Sequence, residues 1–166
     1  METHIAYLSV GSNMGDKRSN CLRGVADLID SGAVTLMARS PFYKTEPVDY
    51  RDQDWFVNAV VKIKTGDSPH ALLNLLKEIE KNNGRAKSPR RFGPRALDLD
   101  ILMCDDLVVK SPGLTLPHPR MHQRRFVLQP MCDIDPSVVH PLLKKNMRYL
   151  LDRIPVKGQR VILYPD

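Results

Sequence analysis

The sequence predicts one α+β domain whose strands and helices follow the order β-α-β-β-α-β. Three observations carry that prediction. Two segments repeat apolar residues at helical spacing, the segments around them alternate as strands do, and glycine, proline or a capping serine marks the boundaries. A length of 166 residues suits one domain with a real core.

Residues 4–11 alternate weakly and end at Gly11, which gives the first strand. Residues 11–16 (GSNMGD) read as a loop; they contain neither G-x-G-x-x-G nor G-K-[ST]. Over 17–29, Leu22, Val25, Leu28 and Ile29 recur at helical spacing, and Gly32 lies just beyond as a stop. Residues 34–45 are rich in β-formers, but Pro41 lacks an amide hydrogen and makes this an edge or broken strand. After a polar loop at 47–54, residues 55–65 alternate. Val57, Ala59, Val61 and Ile63 take one face; Phe56, Asn58, Val60 and Lys62 take the other. Ser68-Pro69 caps a second helix carrying Leu72, Leu73, Leu76, Ile79 and Glu80, which Gly84 ends. A basic loop follows, and then a strand at 97–102. This is the split-βαβ, ferredoxin-like order. Beyond it the sequence predicts C-terminal additions: a short strand near 107–110, helices near 121–131 and 146–153, and a last strand at 161–164.

No apolar run reaches the roughly 18 residues of a membrane span, and the N-terminus has no basic lead for a secretory signal. The three cysteines, Cys21, Cys104 and Cys132, are odd in number and widely spaced, so a reducing cytoplasm is the expected compartment. The formal net charge of +6 favours an anionic partner. Its distribution is more telling. Arg85, Lys87, Arg90, Arg91 and Arg95 lie between Gly84 and Leu97 with no acid among them, and Arg120, Arg124 and Arg125 form a second cluster.

The strand after the basic loop reads Leu97-Asp98-Leu99-Asp100-Ile101-Leu102. Alternation puts Asp98 and Asp100 on one face, with Cα atoms about 6.6 Å apart, and turns Leu99 and Ile101 toward the core. Two neighbouring carboxylates repel unless cations sit between them. The nearby arginines and divalent metal ions are both candidates, and the spacing suits a pair of Mg²⁺ about 3.5–4 Å apart. Arginines for phosphates beside carboxylates for their metals make up a phosphoryl-transfer site. A long aperiodic loop inside a small domain is uncommon, which favours a functional lid over a plain connection. In Leu116-Pro117-His118-Pro119-Arg120-Met121-His122, the two histidines have no cysteine or acid at ligand spacing. A phosphate contact by His118 and Arg124 is therefore favoured over zinc. Phe56 and Asn58 share a face, so a ring and an amide could receive a flat heterocycle. RNA-binding domains share this element order, but Pro94 removes a ladder donor where their stacking motif needs a central strand. Exposed carboxylates at Asp98 and Asp100 would also repel a phosphate backbone without metal.

The run Arg91-Phe92-Gly93-Pro94-Arg95-Ala96-Leu97-Asp98-Leu99-Asp100-Ile101-Leu102 resembles the signature of 6-hydroxymethyl-7,8-dihydropterin pyrophosphokinases. Gly11-Ser12-Asn13, Tyr43-Lys44-Thr45-Glu46-Pro47, Phe56-Val57-Asn58-Ala59, Glu80 with Gly84-Arg85, and Pro117-His118-Pro119-Arg120-Met121 extend the resemblance over nearly the whole chain. It implies a ferredoxin-like fold and transfer of pyrophosphate from ATP to the pterin hydroxymethyl group, with release of AMP, in folate biosynthesis. By resemblance, Asp98 and Asp100 would hold two Mg²⁺ ions, and Arg85, Arg95, His118 and Arg124 would contact the triphosphate, with Arg91 also at the nucleotide. Leu73 and Ile101 would help hold adenine, and Glu80 would sit beside the nucleotide. Asn58 would hydrogen-bond the pterin, Phe56 and Phe126 would sandwich it, and Thr45 and Val48 would line its pocket. Phe56, Phe92, Lys87 and Pro119 stand where the familiar pattern has Tyr, Trp, Arg and Tyr. Residues 1–166 are expected to form one pyrophosphokinase domain without a fused neighbouring enzyme. It would act as a cytoplasmic monomer, with no nucleic-acid or membrane partner.

Overall fold

A computed structural model of the chain describes residues 2–48, 51–84 and 95–165. Its elements are β1 (His4–Ser12), α1 (Lys17–Asp30), β2 (Val34–Arg39), β3 (Phe42–Thr45), β4 (Phe56–Thr65), α2 (Pro69–Asn82) and β5 (Asp98–Cys104). They continue with β6 (Val109–Ser111), β7 (Leu114–Leu116), a 3₁₀ turn (Met121–Gln123), α3 (Arg125–Ile134), α4 (Met147–Asp152) and β8 (Val161–Tyr164). The main sheet runs β5-β1-β4-β3-β8, and β2 lies beside β3 on the same flank of β4. All its pairings are antiparallel. Counting β2 and β3 as one interrupted strand, the order is fourth-first-third-second, which is the expected ferredoxin-like arrangement with β8 added outside it.

The interruption falls at Ser40-Pro41. Ser40 repairs the ladder there: its backbone N–H donates to the Val60 carbonyl, and its hydroxyl accepts from the Val60 N–H at 2.9 Å. Three helices start on side-chain caps, with Asp16 accepting from the Ser19 N–H, Ser68 from Ala71 and Asn146 from Tyr149. The helix expected over 121–131 divides in two. Arg124 is extended (φ −115°, ψ 108°), and the first N–H of α3, on Arg125, is taken by Gln159 Oε1 at 3.0 Å. That partner comes from the far end of the chain and leaves no local sequence signal. The strand expected near 107–110 is one arm of a hairpin, which turns through Gly113 at φ +83°.

The sheet packs helices against both faces, one fully and one in part. On one, Leu8, Val10, Val57, Ala59, Val61, Ile63, Leu99 and Ile101 join Val25 and Leu28 of α1 and Leu72 and Leu76 of α2. Each fully buried leucine there contributes about 1.5–3 kcal/mol relative to exposure. On the other face, Tyr7, Val60, Leu102 and Met103 pack under Leu128 and Met131 of α3 and Met147, Leu150 and Leu151 of α4. A bulge between the β1 and β5 registers, at Tyr7/Leu8, lets both Leu102 and Met103 join this second cluster. Tyr7 and Lys62 both bond Asp135, and Tyr43 bonds Asp133, so the end of α3 is tied to three strands. The helices cover only part of this face. Toward the C-terminal end of β1 it opens into a cavity. No helix among the described residues is long and apolar enough to cross a membrane.

Candidate active site

A cavity of about 340 Å³ opens over the second face of the sheet. Its floor follows from strand alternation. Ser9 and Gly11 of β1, Asn58 of β4, and Asp98 and Asp100 of β5 all point into it, while Leu99 and Ile101 point into the core. Pairing sets them side by side, since Gly11 lies opposite both Asn58 and Asp98, and Ser9 opposite Asp100. The lack of a side chain at Gly11 is required here. A Cβ would fall 2.3 Å from Asn58 Oδ1.

The two aspartates stand on a strand held from behind. Leu99, between them, donates its backbone N–H to Glu80 Oε2 at 2.8 Å, and Glu80 is almost fully buried on α2. The strand also begins under restraint. The Asn13 amide oxygen accepts from the Arg95 N–H at 2.7 Å, and the Asn13 N–H donates to the Arg95 carbonyl at 3.0 Å. Asn13 Nδ2 donates in turn to Gln53 Oε1 at 2.7 Å. One buried amide therefore joins the start of the aspartate strand to the loop before β4.

Arg95, His118, Arg120 and Arg124 line the cavity with the aspartates. The His118 N–H donates to the Leu102 carbonyl at 2.8 Å, anchoring this segment to β5. Burial, then the charges of Arg124 and Arg120, push the His118 imidazole down to about 4, so it is neutral at neutral pH. Its Nδ1 lies 3.2 Å from the Arg120 backbone N–H and accepts from it, which assigns the ring proton to Nε2. His118 thus offers a neutral N–H donor among guanidinium charges.

The opposite wall is apolar and aromatic. Phe56, Phe126, Val48, Pro47 and Val127 line it, together with Thr45 and Glu46. The Asn58 amide nitrogen donates to Thr45 Oγ1, and both residues are buried. The Arg124 guanidinium carbon lies 5.4 Å from the centre of the Phe126 ring, where the charged and aromatic halves meet.

The structure thus gathers Thr45, Val48, Phe56, Asn58, Arg95, Asp98, Asp100, His118, Arg124 and Phe126 around one space. It does not place Leu73, Glu80 or Ile101 on that wall. Ile101 alternates away from the aspartates and is a core residue; Leu73 packs against the same core. Glu80 turns inward with Leu76 and Ile79 on the buried stripe of α2. Arg85 and Arg91, expected at the triphosphate, lie outside the described residues, as do Lys87 and Phe92. Sequence reasoning missed Ser9, Gly11 and Gln53 as site residues. Ser9 and Gly11 share the parity of Tyr7, which strand pairing reveals; Gln53 carried no signal.

A face of oxygen donors beside three guanidinium groups suits a polyphosphate with hard divalent cations. The aromatic wall with a buried amide suits a flat, hydrogen-bonding ring.

Residues 7–136 match the family described as 7,8-dihydro-6-hydroxymethylpterin-pyrophosphokinase (HPPK). The chain is 44% identical over 131 residues to the 2-amino-4-hydroxy-6-hydroxymethyldihydropteridine pyrophosphokinase of Bacillus subtilis, covering 79% of this chain and 78% of that protein. It is 41% identical over 157 residues to the folic acid synthesis protein fol1 of Schizosaccharomyces pombe, covering 95% of this chain but only 21% of that longer protein. Among solved structures, the Plasmodium falciparum HPPK-DHPS wild type superposes with a TM-score of 0.73 at 16% identity, over 92% of this chain and 45% of that one, a likeness of fold.

Proposed function

The chain belongs to the 7,8-dihydro-6-hydroxymethylpterin-pyrophosphokinase family, and from that premise we propose that it transfers pyrophosphate from ATP to the hydroxymethyl group of 6-hydroxymethyl-7,8-dihydropterin, releasing AMP. The observation that carries this reading is the two-sided cavity, with Asp98, Asp100, Arg95, His118 and Arg124 on one side and Phe56, Asn58 and Phe126 on the other.

The pterin ring lies between Phe56 and Phe126. Asn58 and Thr45 read its polar edge from the floor, and Val48 closes the side. Arg95 and Arg124 grip triphosphate oxygens as guanidinium forks, with Arg85 and Arg91 as further cations from the basic loop. His118 donates Nε2–H to a phosphate oxygen without adding charge. Asp98 and Asp100 present hard oxygen donors on one face and fit two Mg²⁺ ions. Bound magnesium would supply charge neutralisation on the phosphate oxygens. Ile101 and Leu73 stand behind this wall. Because the Leu99 N–H points away from β1 toward Glu80, Ile101, two residues on, turns its backbone to the same outer edge; backbone is what it can offer adenine. Glu80 supports the nucleotide side through β5, its carboxylate holding the Leu99 N–H.

The chain's work is positional. It aligns the pterin alcohol with the β-phosphorus, gathers positive charge where the AMP leaving group develops negative charge, and narrows access for water. The proposal treats residues 1–166 as one pyrophosphokinase domain, acting as a cytoplasmic monomer without nucleic-acid or membrane partners. Three unbridged cysteines support the reducing compartment. Coverage of part of the sheet face by α3 and α4 argues against use of that face as an RNA platform.

The test is direct. The protein is incubated with ATP, Mg²⁺ and the hydroxymethyl pterin, and the nucleotide product is identified. AMP accompanied by pterin diphosphate is the expected outcome. ADP indicates single-phosphoryl transfer, and the absence of either product refutes the activity.

A further inference from the structure

The two aromatic walls of the cavity belong to elements far apart in sequence, and one short segment near the C-terminus touches both. On the Phe56 side, the Glu46 N–H donates to the Arg160 carbonyl and the Arg160 N–H donates to Glu46 Oε1, each at 3.0 Å. The Arg160 guanidinium nitrogen Nε lies 3.5 Å from the same carboxylate, and Arg51 reaches the Gly158 carbonyl at 3.1 Å. These contacts hold Glu46 and so set the course of Pro47 and Val48, which line the cavity. Arg160 also stands 4.8 Å from the centre of the Trp55 ring, with Lys44 5.6 Å from it; Trp55 immediately precedes Phe56.

On the Phe126 side, Gln159 Oε1 accepts the Arg125 N–H at 3.0 Å, and Gln159 Nε2 donates to the Gln123 carbonyl at 3.2 Å. Those bonds bracket Arg124 and fix the first turn of α3, where Phe126 sits. Downstream, β8 pairs along β3 from Val161 opposite Thr45 to Tyr164 opposite Phe42, which anchors the segment to the sheet.

We infer that Gln159 and Arg160 are positioning residues for the reaction: together they set the gap between Phe56 and Phe126 and thereby tune recognition of a flat heterocyclic substrate. Neither residue lines the cavity, so neither acts by touching substrate. The Gln159 side chain reaches the Phe126 wall while the Arg160 backbone and guanidinium hold Glu46 on the other side, which is how one dipeptide grips both walls. The inference rests on the pterin reading of that half of the site.

The test uses Gln159→Ala and Arg160→Ala, with Gln159→Glu and Arg160→Lys as conservative counterparts. Gln159→Glu keeps an acceptor for the Arg125 N–H and loses only the donor, so it serves if the alanine variant does not fold. Each is titrated with a non-hydrolysable ATP analogue and Mg²⁺, then with the hydroxymethyl pterin. Gln159→Ala is expected to lose about five- to tenfold in pterin affinity, as two lost side-chain hydrogen bonds imply. Arg160→Ala keeps its backbone bonds to Glu46, loses the guanidinium contacts, and is expected to lose about two- to fivefold. Nucleotide affinity and kcat at saturation should stay within about twofold, on the same arithmetic. Arg160→Lys should recover most of the loss. Trp55 is the chain's single tryptophan, so its emission in the substrate-free protein should shift in Arg160→Ala and less in Arg160→Lys. Folded variants with wild-type pterin affinity overturn the inference. So does an equal loss of nucleotide affinity, the mark of general loosening. A wild-type protein that binds the nucleotide but no pterin overturns the pterin reading and this inference together.

Discussion

Asp98 and Asp100 project into the same space because a strand repeats every two residues, and Leu99 between them is held by the core and by Glu80. Two carboxylates on one face favour cations between them, which suits a site that binds divalent ions. Asp98→Asn keeps size and removes charge. It should lower AMP formation by at least about a hundredfold while the protein stays folded; near-normal turnover would remove the proposed metal role. His118 gives a pH prediction. Its folded-state value of about 4 lies below the ordinary 6.5, so between those values the unfolded chain binds more protons than the folded one. Stability contributed by this group is therefore full above pH 6.5 and declines as pH falls toward 4. Urea midpoints measured across that range should fall on acidification, and less steeply in His118→Gln. Identical slopes would mean that other groups govern the decline.

At the scale of elements, the site depends on how closely α1 and α2 seat the segment leading into β5. Gly24 of α1 packs directly on Leu97, where an added Cβ would lie 2.8 Å from Leu97 Cδ2. Gly24→Ala gains helix propensity but must displace a fully buried leucine next to Asp98. Overpacking of this kind costs about 1–3 kcal/mol, which for a chain of this length lowers the melting temperature by several degrees. Calorimetry showing a stabilised protein would mean that the helix shifts freely. The Asn13 bridge is the second seat of the strand. Asn13→Ala strands the Arg95 N–H and removes the bond to Gln53, so both nucleotide and pterin affinity should fall, each by about five- to tenfold. Separate titrations of the two substrates check this; a loss confined to one of them would show that the bridge serves only one loop.

For the whole molecule, the ferredoxin-like sheet sets a complete hydrophobic core on one face and divides the other between packing and chemistry. The core face can therefore hold the strands rigid while the open half carries clustered charges of both signs. Rigid strands keep the acidic pair aligned for cations, so turnover should need divalent metal. Excess EDTA should abolish AMP formation, and added Mg²⁺ should restore it; full turnover in EDTA would exclude the two-cation scheme. Folding itself should survive EDTA, because hydrophobic burial and not metal holds the sheet together.

Local pattern determined the ferredoxin-like element order, the edge or broken strand at Pro41, the capped helix at Ser68, the common face of Asp98 and Asp100, and the common face of Phe56 and Asn58, because each depends on spacing, proline or capping chemistry within a few positions. Tertiary structure decided what periodicity could not. It joined Gly11 to Asn58, Asn13 to Gln53 and Arg95, and Gln159 to the first turn of α3. It also placed Glu80 and Ile101 behind the cavity wall and not on it. Strand order and register bring distant residues into contact, and neither leaves a local pattern in the chain, whereas alternation and helical spacing are local by nature.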